Sequence, residues 1–164
     1  MVKSESPVAP TGGLRGVMRE VRLALGDFIG GKLDPSHELM LQVLFGMLGA
    51  LAQADGLVST EEADYTNTLM EELELGARAR QLATEAFQLG RRRQMDLEKE
   101  MQRFLISFPH GSIEVDRLYE SLIRLAAAAD RRIRPGERVF LEQVTHGLGF
   151  LPEVLDQRLA SVLK

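Results

Sequence analysis

The chain has 164 residues, no Cys, no Trp and a formal net charge of −4, with 45% hydrophobic and 27% charged residues. This size and balance describe one globular domain with at most an added arm, and they exclude wholesale disorder. The absence of Cys excludes disulfide scaffolds, thiolate metal sites and cysteine nucleophiles, while the acidic balance argues against a nucleic-acid binder that relies on a basic footprint.

Residues 1–13 read as a flexible arm. Their polar, Pro-bearing start lacks the apolar core of a secretory leader, so the cytoplasm is the expected compartment. From Leu14, apolar residues at Val17, Met18, Val21, Leu25, Phe28 and Ile29 line one face of a helix that Gly30-Gly31 ends. Residues 14–35 are thus an amphipathic helix and its connection. Its apolar face can pack on the domain in cis, dock a partner helix, or rest on a membrane surface, which would make the protein peripheral to the inner membrane. Glu20 and Asp27 dilute the membrane reading, and cis packing is favoured.

The main domain is expected over residues 36–164. Asp34-Pro35 with Ser36 opens a helix over 37–54 that is apolar on nearly every face, hence central and buried. Gly46 and Gly49 lower its helix propensity, which close approach of a neighbouring helix would explain. Its uncharged stretch, Leu39 to Ala54, is shorter than the roughly 20 residues of a bilayer span. Ser59 and Glu62 have capping-box spacing for the next helix, which runs to about Glu74. Another helix follows Gly76 and ends near Gly90, and Arg91 to Gln94 form a basic loop. Further helices are expected over 96–107, from the Ser112 cap to Ala129, from Pro135 to Gly147, and from Pro152 to about Leu163. No segment alternates strictly, so the fold class is all-α, with seven to eight helices.

The chain repeats at an offset of 75 residues. Ala52-x-Ala54-Asp55 returns as Ala127-x-Ala129-Asp130, Val58 as Ile133, and Glu62 as Glu137. Tyr65, Leu69 and Leu73 align with Phe140, Val144 and Leu148, and Leu44 and Leu48 align with Tyr119 and Ile123. Each unit is a buried helix, a tight connection bearing Asp, and an amphipathic helix that begins with Glu. Two units about a pseudo-twofold axis would bring their loops close and pack helices 37–54 and 113–129 on each other, with Gly46, Gly49 and the Ala126–Ala129 run allowing close approach.

Catalysis finds little support. His37, His110 and His146 are dispersed, and no nucleophile elbow, phosphate loop or dinucleotide fingerprint is present. Asp55 to Glu62 imitates the second half of an EF-hand loop, but Leu51 would occupy the first ligand position and cannot bind calcium. Charge is segregated. Residues 36–75 carry eight acidic and no basic residues, and residues 76–103 carry seven basic and four acidic ones, including Arg91-Arg92-Arg93. Solvated helix faces are the plainer explanation. The functional one is a two-sided module that steers a charged protein partner through Glu61, Asp64, Glu71, Glu72, Arg91, Arg92 and Arg93. No aromatic platform accompanies the Arg run, so nucleic acid is not expected.

The pattern A-x-A-D-G-x-V-S-x-x-E at Ala52 to Glu62, the stretch Leu69 to Phe104 with Phe87-x-x-Gly90, and Ala127 to Phe150 resemble the tellurite-resistance TerB family, in the version found in DjlA-type, DnaJ-like co-chaperones. The resemblance covers roughly residues 36 to 164. It implies a compact helical bundle with two pseudo-symmetric halves and a non-enzymatic interaction module, in stress or tellurite resistance or in co-chaperone regulation. DjlA-type proteins also carry a membrane-spanning segment and a J domain. This sequence contains no spanning helix and no His-Pro-Asp tripeptide, so stimulation of an Hsp70-type ATPase does not carry over, and a fragment of a longer co-chaperone is one reading. Arg131 also departs from the family pattern, which has Gly there. The metal chelation suggested for the family's acidic residues transfers only to Asp55, Glu62, Asp130 and Glu137. These would form a divalent-cation site with oxygen ligands favouring calcium or magnesium over zinc. Capping and the helix dipole explain Glu62, but they leave the two Asp residues at helix C-termini, and Glu137 behind Arg134, unexplained.

Overall fold

The computed structural model describes residues 19–23, 34–54, 60–130 and 133–163, with backbone alone at 60–65 and 128–130. Residues 19–23 are helical (α1). They are followed by α2 (Pro35–Gln53), α3 (Thr60–Glu72), α4 (Ala77–Arg91), α5 (Leu97–Ser107), α6 (Ile113–Asp130), α7 (Pro135–Gly147) and α8 (Pro152–Val162). Among the described residues there is no strand, and the fold is the expected all-α bundle.

Local chemistry sets the helix starts. The carboxylates of Asp34 and Asp96 accept the backbone N–H of His37 at 2.9 Å and of Lys99 at 3.1 Å, and Ser112 Oγ accepts that of Val115 at 3.3 Å. Pro35, Pro135 and Pro152 stand at first helical positions, where a missing N–H costs nothing.

Helix α2 is the axis of the core. Met40, Leu41, Val43, Leu44, Phe45, Met47, Leu48 and Leu51 are all buried, and the helix touches α4, α5, α6 and α7. Its main partner is α4, which corrects the expectation that its glycines face the helix at 113–129. A Cβ on Gly49 would overlap the carbonyl oxygen of Phe87, and one on Gly90 would overlap that of Gly46. The two backbones therefore meet through Gly46, Gly49 and Gly90, and α6 packs on α2 with ordinary side chains. α6 is nonetheless as deeply placed, with Val115, Leu118, Tyr119, Leu122, Ile123 and Leu125 buried.

The repeat proves to be three helices long. Moving α3 by 75 positions gives the bounds of α7, and Ala77 moved likewise is Pro152, the first residue of α8. The turns match bond for bond. Leu73, Glu74 and Leu75 donate to the carbonyls of Leu69, Glu71 and Met70; Leu148, Gly149 and Phe150 donate to those of Val144, His146 and Thr145. The left-handed residue of this helix ending is Glu74 (φ 57°) in the first unit and Gly149 (φ 87°) in the second. Helix α5 links the units and contacts α2 and α7.

The expected N-terminal helix is described only at 19–23. There Val21 is buried in the core, Glu20 pairs with Arg124 of α6 at 3.0 Å, and Arg22 pairs with Glu74 at 3.0 Å. α1 thus lies on the bundle and touches both units, as the cis reading requires. The remaining residues of that helix, the arm 1–13 and the loop bearing Asp55 lie outside the described residues. Among the described residues, no helix is long and apolar enough to cross a membrane.

Candidate functional site

The basic loop is built by the way α4 ends. Gly90 must remain small to sit on α2, and α4 ends one residue beyond that contact. Arg93 adopts φ 58°, its N–H donates to Gly90 O at 3.1 Å, and the Gln94 N–H donates to Leu89 O at 2.8 Å. A non-glycine residue in this left-handed conformation is strained by roughly 1–2 kcal/mol. The Arg93 side chain uses the position: its Nη2 donates to the Gln53 carbonyl at 3.3 Å, tying the end of α4 to the end of α2. A cation there also complements both helix C-termini.

Arg91, Arg92 and Arg93 are exposed and, with Gln53 and Gln88, line an open cavity of about 550 Å3. No carboxylate among the described residues pairs with any of the three. By contrast, Arg22, Arg78, Arg103, Arg124, Arg138 and Arg158 each hold one. Gln53 and Arg93 also belong to a second groove of about 500 Å3, whose walls include Ala50, Ala54, Met95, Leu97, Val139 and Phe140. The end of α2 and the start of α7, which flank the two equivalent repeat loops, therefore share one groove.

The opposite unit carries a dense polar network. Arg158 donates to Asp116 at 2.6 Å and to Glu120 at 2.8 Å, and Arg124 donates to Glu120 at 2.7 Å and to Glu20 at 3.0 Å. The Arg158 guanidinium also lies 5.2 Å from the Tyr119 ring centre and 5.4 Å from that of Phe150, rings stacked 4.3 Å apart. Beneath them, Thr145 Oγ1 donates to Leu141 O at 2.6 Å and so accepts the Tyr119 hydroxyl at 2.7 Å. Burial pushes the Tyr119 hydroxyl above the ordinary tyrosine range and keeps it a donor, although Thr145 and Arg158 pull the other way. The network explains how α1, α6 and α8 are held together.

The family model for tellurite resistance protein TerB matches residues 42–158, which span both three-helix units. The chain belongs to the TerB family. Among curated relatives, the co-chaperone protein DjlA of Vibrio vulnificus (strain CMCP6) is 33% identical over 123 residues, covering 75% of this chain and 42% of that protein. The DjlA proteins of Vibrio cholerae and Yersinia pestis are each 30% identical, over 123 and 124 residues, with 75% of this chain and 43% and 44% of theirs covered. The chain thus spans less than half the length of these relatives. No solved structure matches it.

Against this TerB frame, the residues singled out from sequence separate into three groups. Arg91, Arg92 and Arg93 come together in one cavity. Glu71 and Glu72 lie in the last turn of α3 and line neither the cavity nor the groove; the side chains of Glu61 and Asp64 lie outside the described residues. Of the four carboxylates suggested for a cation, Asp55, Glu62 and Asp130 also have side chains outside the described residues. Glu137 has a capping task after all: its Oε1 accepts the Arg134 backbone N–H at 2.9 Å, which needs nothing from the Arg134 side chain. Among the described residues no three metal-capable side chains form a cluster. His110, in the turn between α5 and α6, donates through Nδ1 to Leu148 O at 3.0 Å, and His37 and His146 lie on α2 and α7. The groove walls at Met95, Leu97 and Val139 were not legible in the sequence, because a loop and two separate helices supply them.

Proposed function

We propose that this TerB chain is a non-catalytic interaction module that docks a negatively charged protein partner at the arginine end of the bundle. One observation carries the reading: Arg91, Arg92 and Arg93 converge on an open cavity with no carboxylate partner among the described residues, whereas Arg22, Arg78, Arg103, Arg124, Arg138 and Arg158 each hold one. Uncompensated like charges at one helix end repel one another and raise the local potential, and an incoming anionic surface relieves both. The acidic turn at Glu71 and Glu72 gives the molecule the opposite sign elsewhere, and thereby orients the encounter.

The co-chaperone relatives and the tellurite-resistance family support a setting in chaperone-linked or stress-related assemblies, where such a domain brings a partner to the rest of the machinery. The test is binding of poly-glutamate to wild type and to Arg91→Glu/Arg92→Glu. Wild type is expected to bind at low ionic strength and to lose affinity as salt rises, and the reversed variant is expected to lose binding by about tenfold or more. Equal binding by both proteins would sink the proposal.

A further inference from the structure

We infer that the groove beside the arginine cavity holds an apolar side chain of an acidic, extended peptide segment from the partner, while its carboxylates pair with Arg91 and Arg92. This rests on the reading that the arginine end docks a partner, and adds what that partner must look like.

The two hollows adjoin, with Gln53 and Arg93 lining both, so one segment can reach across from one to the other. Their chemistry differs. One end presents three arginines beside the amides of Gln53 and Gln88; the groove presents Ala50, Met95, Leu97, Val139 and Phe140. Val139 is 54% exposed although it lies within this concave wall, so it is an apolar surface that water covers at a cost. Gln53 and Gln143, also on the walls, carry amides suited to a peptide backbone. Arg93 is already engaged with the Gln53 carbonyl, which leaves Arg91 and Arg92 as the groups for partner carboxylates. A charge-only surface would not need the groove, and a nucleic acid would want an exposed aromatic face, whereas Phe140 is buried. Alternating acidic and apolar residues satisfy both hollows at once.

The experiment compares two fluorescein-labelled peptides by anisotropy on the whole chain: Glu-Glu-Leu-Glu-Phe-Glu-Glu, and the same peptide with Ser at the Leu and Phe positions. The apolar peptide is expected to bind about fivefold tighter than the Ser peptide. Val139→Gln, which keeps the size and helix propensity of an exposed position, is expected to remove most of that difference and leave the Ser peptide unchanged. Arg91→Glu/Arg92→Glu is expected to weaken both peptides by about tenfold or more, with Arg91→Gln/Arg92→Gln as the milder variant if the reversed one fails to fold. Equal affinity of the two peptides, or an unchanged preference in Val139→Gln, overturns the groove while arginine docking still stands. Peptide binding indifferent to both arginine variants overturns both readings. A short poly-dT strand that binds as tightly as the apolar peptide overturns the inference in favour of a nucleic-acid surface.

Discussion

The two three-helix units share the bounds of their middle helix, the start of their last one and the turn hydrogen bonds between them, but fill equivalent positions with opposite chemistry. In the first unit, Leu41, Phe45, Gly49 and Ala83 are buried, and backbone contact between α2 and α4 excludes anything larger at the glycines. Seventy-five residues on, the same positions are Asp116, Glu120, Arg124 and Arg158, which form one ion-paired chain between α6 and α8. The scaffold therefore does not depend on one kind of filling, because each of these helices also carries core residues, such as Leu44 of α2, Ala79 of α4, Leu118 of α6 and Leu155 of α8. What differs is the use. The tight unit holds the arginine loop at a fixed height over α2, whereas the charged unit reaches through Arg124 to hold α1.

The sharpest way to break this comparison is to add one methyl group. Gly49→Ala and Gly90→Ala are each expected to destabilise by about 3 kcal/mol in urea denaturation, because overlap with a backbone carbonyl forces the two helices apart. A loss below 1 kcal/mol would show that the α2–α4 contact gives way easily. In the charged unit, Arg158→Ala leaves Asp116 and Glu120 without that partner and uncovers the Tyr119 and Phe150 rings. Since these carboxylates are partly solvated, the expected loss is about 1–2 kcal/mol, shrinking in high salt. Insensitivity to salt would mean that ring contact outweighs charge.

Tyr119 sharpens the same contrast through pH. Its folded hydroxyl is raised above the unfolded value, so the unfolded state releases its proton first as pH rises. Its contribution is complete below about pH 10 and falls away above that as pH climbs through the folded value. Tyr119→Phe is expected to cost about 1 kcal/mol at neutral pH and to flatten the alkaline loss; an unchanged alkaline slope would assign that loss to other groups. The smallest effect belongs to Glu137. Removing its cap contact in Glu137→Ala is expected to cost about 0.5–1 kcal/mol, equally with and without calcium or magnesium. A cation-dependent rise in Tm that is seen in wild type and vanishes in this variant would restore the carboxylate to a metal site.

Much of this architecture was legible before any coordinates. Caps at Asp34 and Ser112, prolines at first turns and the 3.6-residue spacing of apolar side chains mark the helices, because each signal acts within one turn of its own backbone. The 75-residue repeat was legible as two helices and a loop; the third pair, α4 and α8, was hidden because its residues had diverged as far as Ala83 and Arg158. Of the candidate site, the arginine run could be read, since three like charges in a row stand out in any sequence. The ending of α3 could not be read, because Gly76 draws attention while Glu74 takes the left-handed turn.

The sequence by itself thus determined helix identity, the order of the helices and which faces are buried, all consequences of local hydrogen bonding and hydrophobic spacing. Tertiary structure alone decided that Gly46, Gly49 and Gly90 meet one another, that Arg158 serves Asp116 and Glu120, and that an apolar groove opens beside Arg93. Each of those outcomes depends on groups some 40 residues apart, such as Gln53 and Arg93, brought together by packing. A local pattern shows which groups need a partner, and only the folded arrangement of helices selects the partner.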